Sequence, residues 1–207
     1  MKNVYKMLLA LLVLTASLCS PLGLHTAAAA PQEKLTTTTA TITAPKICAL
    51  IIGDPAVKTK DFMERTEKYL NADLDTEKYQ KVAIGTDVQS LYQQYWFEKG
   101  FLEEQPLTKE DLTAFVKFSG YDRCLFLVMP DPSMEKTKVA SAWYGFSENN
   151  RASIELNAFL VDQDKVLKII NITKDSSSSS SELSAKRGAY TKCIKEIAKE
   201  LVPQMFH

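Results

Sequence analysis

Histidine is nearly missing from this chain. Of 207 residues, only two are histidine, His25 and His207. One lies inside a leader-like opening and the other is the last residue. The stretch between them has no imidazole, which excludes Ser-His-Asp and Cys-His nucleophiles, His-ligated zinc and a His-based pH switch. An excess of either charge is missing too, since 25 basic residues face 25 acidic ones. With Lys2 and Lys6 of the opening set aside, 23 bases and 25 acids leave a charge of −2. Such a surface lacks the basic patch that nucleic acid requires, so no nucleic-acid partner is expected. The four cysteines form no CxxC pair, and no cofactor is expected. No apolar run after the opening is long enough to span a bilayer.

What is present begins with that opening. Lys2 and Lys6 flank the start, Met7 to Leu14 is an unbroken apolar run, and Ala27 to Ala30 are small residues that a signal peptidase reads. This is the three-part pattern of a secretory signal peptide. Residues 1–29 are therefore expected to be cleaved off near Ala29-Ala30. The mature chain is expected to be extracytoplasmic, periplasmic or secreted, without a transmembrane segment. Cys19 follows Leu18 rather than a small residue, which argues against a lipid anchor. Residues 30–45 are Thr-rich, with Pro31 and Pro45 near the ends, and read as a linker. Residues 46–204 read as a single domain, long enough to bury a core without disulfide staples.

Within that domain the apolar pattern alternates between helix and strand periods. Ile47–Ile52 and Arg123–Met129 are continuous apolar runs suited to buried strands, and Lys81–Ile84 suggests a shorter one. Asp61 with Glu64 resembles a capping box opening one helix. Gly85-Thr86-Asp87 opens a second helix, where Val88, Leu91, Tyr92, Tyr95 and Trp96 form one stripe. Gly100 ends that helix. Thr108 with Asp111 opens a third, with Leu112, Phe115 and Val116 inward. Lys138–Phe146, Arg151–Val161 and Lys165–Ile172 read as an antiparallel meander, with turns at Ser147–Asn150 and Gln163-Asp164. Ile154, Leu156, Ala158 and Leu160 share one face of the middle strand. Ser176–Ser181 reads as a flexible loop, lacking the Gly and Lys of a phosphate-binding loop. A last helix spans Glu182–Leu201, its inner side carrying Leu183, Tyr190, Cys193, Ile194, Ile197 and Leu201. The order β-α-β-α-α-β, then β-β-β-α, predicts an α/β (α+β) fold with a mixed sheet and helices packed on it.

Cys48, Cys124 and Cys193 remain after the leader, an odd count that leaves at least one thiol free or intermolecular. Each sits in an apolar segment and reads as a buried thiol acting as a small hydrophobe. A Cys48–Cys124 disulfide across neighbouring strands is the alternative.

Some local wording resembles the CsgG-like and TolB N-terminal-like group of extracytoplasmic α/β domains, over about Ile47 to Leu201. Ile47–Ile52 is similar to that group's opening strand. Ser119-Gly120-Tyr121-Asp122 before Cys124–Met129 resembles its helix-ending turn. Phe159-Leu160-Val161-Asp162 followed by Lys165-Val166-Leu167 resembles its strand-Asp-turn-strand hairpin. The resemblance implies a non-enzymatic component of the bacterial cell envelope that binds other proteins.

Three sets of residues are candidate sites. Asp54, Asp87 and Asp131 each follow an expected strand. If those strands are parallel, the carboxylates gather at one sheet edge, where open α/β sheets bind ligands. There they could hold Mg²⁺ or Ca²⁺, or act as acid and base; the alternative is that all three are turn formers or caps. Phe97, Phe101 and Leu102 are candidate partner-binding residues, since an exposed aromatic pair beside Leu102 would anchor a protein. Trp143 and Tyr144 are adjacent on one strand and so face opposite ways. No residue is assigned a catalytic role. The leading expectation is an exported, non-catalytic adaptor binding an envelope protein, with homo-oligomer formation left open. The alternatives are a small-molecule or divalent-metal-binding domain using the three aspartates, and a carboxylate-based hydrolase.

Overall fold

Seven consecutive residues, Ile47–Gly53 (β1), are apolar or small, and six of them are buried. Such a strand must be covered on both faces, and this one is. In the computed structural model, which describes residues 44–141 and 145–206, β1 pairs in parallel with Arg123–Met129 (β2). Ser133–Ser141 (β3), Gly145–Asp162 (β4) and Val166–Ser178 (β5) complete one mixed five-stranded sheet. The helices are Lys60–Leu70 (α1), Thr86–Glu98 (α2), Lys109–Ser119 (α3) and Glu182–Met205 (α4). Alternate residues of each strand feed two separate cores. Ile47, Ala49, Ile51, Leu125 and Leu127 pack with α1 and α4. Cys48, Leu50, Ile52, Cys124 and Phe126 pack with α2 and α3. The result is three layers, helix, sheet and helix.

β4 organises the sheet. One of its edges pairs with β2 over Asn157–Asp162 and with β3 over Gly145–Ser153. Its other edge pairs with β5 over Asn150–Val161. β2 and β3 thus lie in line along one edge, separated by Pro130-Asp131-Pro132. From Val128 to Ser133 the chain takes five steps while β4 takes four, from Asn157 to Ser153. The extra residue is a bulge, placed where two prolines cannot donate to the ladder.

The strand expected at Lys81–Ile84 is reduced to one bridge, Ala83 beside Cys48. The Val82 amide is taken by the Asn71 side chain at 2.9 Å, and α2 begins three residues after Ala83. The turn expected at Ser147–Asn150 is instead strand. Asn149 and Asn150 pair with Thr137 and Lys136, and ladder bonds outweigh the turn preference of asparagine. The connection falls between Ser141 and Gly145, and Gly145 has φ of 74°, so that glycine was the better turn signal. Ser176–Ser178, expected as loop, extends β5. Their small side chains let α4 approach closely, for a Cβ at Gly188 would come within 2.2 Å of the Ser176 hydroxyl. α4 runs on to Met205, past Pro203, and its final carbonyl accepts from Arg123 at 2.6 Å.

Two expected caps do not form. Thr59 rather than Asp61 precedes α1, and Asp61 instead accepts from Arg65 and pairs with Arg187 at 3.1 Å. Gly85 precedes α2, and Asp87 lies in its first turn. The Thr108–Asp111 capping box is present. Leu183, expected inward, is exposed, because it precedes the turn at which α4 meets the sheet. All three described cysteines are buried and free, although Cys48 and Cys124 are register partners. Burial pushes the Cys193 thiol up to about 11. The expected signal peptide, most of the linker, and Trp143 and Tyr144 lie outside the described residues.

Gly53 has φ of 120°, and a Cβ there would lie 1.7 Å from the Met129 carbonyl oxygen. No rotation of a flexible side chain relieves that overlap, because the neighbour is backbone. Gly53→Ala is expected to lower unfolding free energy by more than about 2 kcal/mol, read by urea denaturation. An unchanged midpoint would show that β1 and β2 do not approach so closely.

Candidate docking corner

α2 carries its buried stripe as expected, with Val88, Tyr92, Tyr95 and Trp96 inward. These rings meet a second set from α3 and β2. Phe115 packs against Tyr92 at 5.4 Å, Tyr95 at 5.7 Å and Phe126 at 5.7 Å between ring centres, all near edge-to-face. Each such pair adds about 0.5–1.5 kcal/mol beyond its burial. The aromatic cluster therefore fixes the end of α2 firmly on the sheet.

The helix then stops in a Schellman turn. The Gly100 amide donates to the Phe97 carbonyl and the Phe101 amide to the Trp96 carbonyl, each at 2.9 Å. The hydrophobic contact that accompanies this turn is Phe101 against Trp96, ring centres 5.9 Å apart. Lys99 lies 4.8 Å over the Tyr95 ring and forms an ion pair with Asp111. The Tyr95 hydroxyl donates to the same carboxylate at 3.2 Å. Three residues beyond Phe101, Glu104 pairs with Lys58 at 2.5 Å, which ties the loop to the turn after β1.

Between these clamps two large apolar side chains stand in solvent. Phe97 is 67% exposed and Leu102 is 92% exposed. Phe101, grouped with them on sequence, is 43% exposed and partly spent on Trp96. Trp96, Phe97, Leu102 and Glu104 border a shallow hollow of about 830 Å³. Tyr92 Oη and Trp96 Nε1 are both buried, and the two side chains interact with each other. The exposure of Phe97 and Leu102, and Asp111 as the capping partner of Thr108, follow from the sequence; the pairing of Asp111 with Lys99 and of Glu104 with Lys58 does not, because it depends on the path of the loop.

The three aspartates do not converge. Asp54 and Asp131 follow the parallel strands β1 and β2 and so share one end of the sheet. Asp87 acts instead on Tyr121, just ahead of β2, whose hydroxyl is pushed up by burial and then by the nearby sulfurs and Asp87. Among the described residues, no three His, Cys, Asp or Glu side chains are placed to hold a metal ion. No helix of the described residues is long and apolar enough to cross a membrane.

No protein-family model matches the chain, and no curated protein matches it in sequence. Among solved structures, lipoprotein GNA1162 from Neisseria meningitidis is 14% identical with a TM-score of 0.40, covering 75% of this chain and 99% of its own. Protein XCC0632 from Xanthomonas campestris, assigned to the DUF330 family, is 14% identical with a TM-score of 0.41, covering 80% of this chain and 85% of its own. A neuraminyllactose-binding hemagglutinin homolog from Helicobacter pylori is 16% identical with a TM-score of 0.40, covering 79% and 86%. Overlaps this partial transfer no property to this chain. None of the three is named for the CsgG-like or TolB group, and that resemblance rests on local sequence wording alone.

Asp111 supplies a test of the clamp. Burial alone would raise its carboxyl, but hydrogen bonds from Lys99, from the Thr108 hydroxyl and amide, and from Tyr95 outweigh that and hold it at about 2. A depressed carboxyl contributes stability that is present above its unfolded value of 3.8 and lost as pH falls toward 2. With allowance for the part-exposed Lys99, the contribution is about 1–2 kcal/mol. Asp111→Asn is expected to lower stability at pH 7 by about that amount and to flatten the loss between pH 4 and 2. A variant with the acid dependence of the parent, in urea unfolding at both pH values, would contradict this.

Proposed function

We propose that this chain is an exported, non-catalytic protein of the bacterial cell envelope that docks on another envelope protein through the corner at the end of α2. The observation that carries the reading is the pair Phe97 and Leu102, 67% and 92% exposed, held out by a turn locked on both sides. A large apolar side chain costs little entropy on binding when its backbone is already fixed, and such residues act as anchors when a partner desolvates them. Export is supported by the charged start, apolar run and small residues of positions 1–29. The lack of any histidine between His25 and His207 and the scattering of the three aspartates support a role without chemistry of its own.

The test is crosslinking of the tagged protein in its native envelope, followed by mass spectrometry. A reproducible partner is expected, and Phe97→Ser with Leu102→Ser is expected to reduce its yield at least tenfold while the fold, read by circular dichroism, is unchanged. A partner retained by the double variant would place docking elsewhere on the surface, and no partner above background would remove the reading.

A further inference from the structure

β5 pairs with β4 along one edge, and among the described residues no strand pairs with the other. Such an edge is a template for a further strand, and proteins ordinarily blunt it. Elsewhere in this sheet the edges are blunted. Ala83 closes the start of β1, donating to the Ile47 carbonyl at 2.9 Å and accepting from the Ala49 amide at 2.8 Å. β3 follows two prolines and carries Glu135, Lys136 and Lys138. β5 is covered near its end, where Lys192 donates to the Asp175 carbonyl at 2.7 Å. Ahead of that point it runs Lys168-Ile169-Ile170-Asn171-Ile172-Thr173, free of proline and rich in β-branched residues.

The register fixes what an added strand would meet. On one face Leu50, Phe126, Phe159 and Ile169 are successive partners across β1, β2, β4 and β5. Leu50 and Phe126 are fully buried, Phe159 is half-buried and Ile169 is 56% exposed. An apolar row therefore runs out to the open edge, beside a cavity of about 780 Å³ that Phe159 and Ile169 border. On the opposite face Ala49, Leu125, Leu160 and Lys168 are successive partners, so the next row ends in a cation. Lys168 is exposed and is in no ion pair among the described residues. Lys174, on the same face, is matched by Glu196 at 3.6 Å. Cross-strand neighbours stabilise a sheet when apolar meets apolar and opposite charges meet. The strand that completes this edge thus sets an apolar side chain beside Ile169 and a carboxylate beside Lys168, on opposite faces. A second copy does not supply this through its own β5. A two-fold axis joining two such strands in one sheet sets residues of the same face opposite each other. Asp175, the only acid of β5, is the partner of Ser153 and lies on the face of Ile169, not that of Lys168.

We propose that the open edge of β5 takes up an extended segment of another protein, with alternating apolar and acidic side chains, as an added strand along Lys168–Thr173. Main-chain bonds supply affinity, and the alternation supplies specificity. The proposal does not depend on the docking corner. The experiment is fluorescence anisotropy of a labelled, end-blocked peptide of four Val-Glu repeats, titrated with the purified full chain. Four Val-Lys repeats, with the same alternation and the opposite charge, are run beside it. One peptide per chain is expected to bind, with Val-Glu at least tenfold tighter than Val-Lys. Lys168→Glu is expected to reverse that order. Ile169→Lys, at an exposed position, is expected to weaken Val-Glu at least tenfold, and Phe97→Ser with Leu102→Ser is expected to leave it intact. Alternate amides of an extended strand point to opposite edges. Methylating the backbone nitrogens of one alternate set, valine or glutamate, is therefore expected to abolish binding, and methylating the other set to spare it. No saturable binding would overturn the proposal. So would binding indifferent to Lys168→Glu, an equal response to the two methylations, or dimerisation of the chain that Ile169→Lys abolishes, which would give the edge to a second copy.

Discussion

The structure depends on β4 being paired along both edges. Its 18 residues serve as the template for β2, β3 and β5 at once. β2 and β3 share its first edge, and the one-residue excess at Pro130-Asp131-Pro132 absorbs the change of register between them. Because β4 is continuous, a single alternation of side chains runs the length of the sheet. Ile154, Leu156, Ala158 and Leu160 all face α1 and α4. A one-residue slip would turn that entire set toward the other layer.

The two faces are covered unequally, and this accounts for both surface features. α4, with 24 residues, is long enough to cross β4 and β5. α2, with 13 residues, packs over β1, and α3, with 11, over β4 and the start of β5. Their shortfall opens the apolar cavity at Phe159 and Ile169. Their connection turns at Gly100 and leaves Leu102 outside beside Phe97, while its later residues Gln105–Leu107 line the cavity. The corner and the cavity are thus neighbours on one face but differ in construction. The corner is two protruding side chains on a clamped turn; the cavity is a recess with an apolar floor.

Much of this was legible in the sequence wherever one local pattern decided the outcome. The stripe Val88-Tyr92-Tyr95-Trp96, the capping box at Thr108, the inner face of α3 and the alternation in β4 all follow from spacing alone. The failures lie where distant backbone overrides local preference. Asn149 and Asn150 are turn formers that a ladder holds straight. The serines of 176–178 are loop formers in isolation, but β4 pairs with them and Gly188 packs on them. Val82 would extend a strand if Asn71 did not take its amide. The aspartates after β1 and β2 were placed correctly, yet their convergence with Asp87 required a third strand that is only one bridge. The cavity left no local signal, since Ile52, Val128, Phe159 and Ile169 meet only through the register of four strands.

Docking at this corner requires the end of α2 to be a rigid platform and not a mobile loop. Native-state hydrogen exchange across residues 95–105 tests it directly. The Gly100 and Phe101 amides, bonded to Phe97 and Trp96, are expected to exchange as slowly as the amides of α2 itself. Exchange at those two amides as fast as in the exposed segment 75–80 would mean that Phe97 and Leu102 are carried by a fluctuating loop, and the docking corner would lose its physical basis.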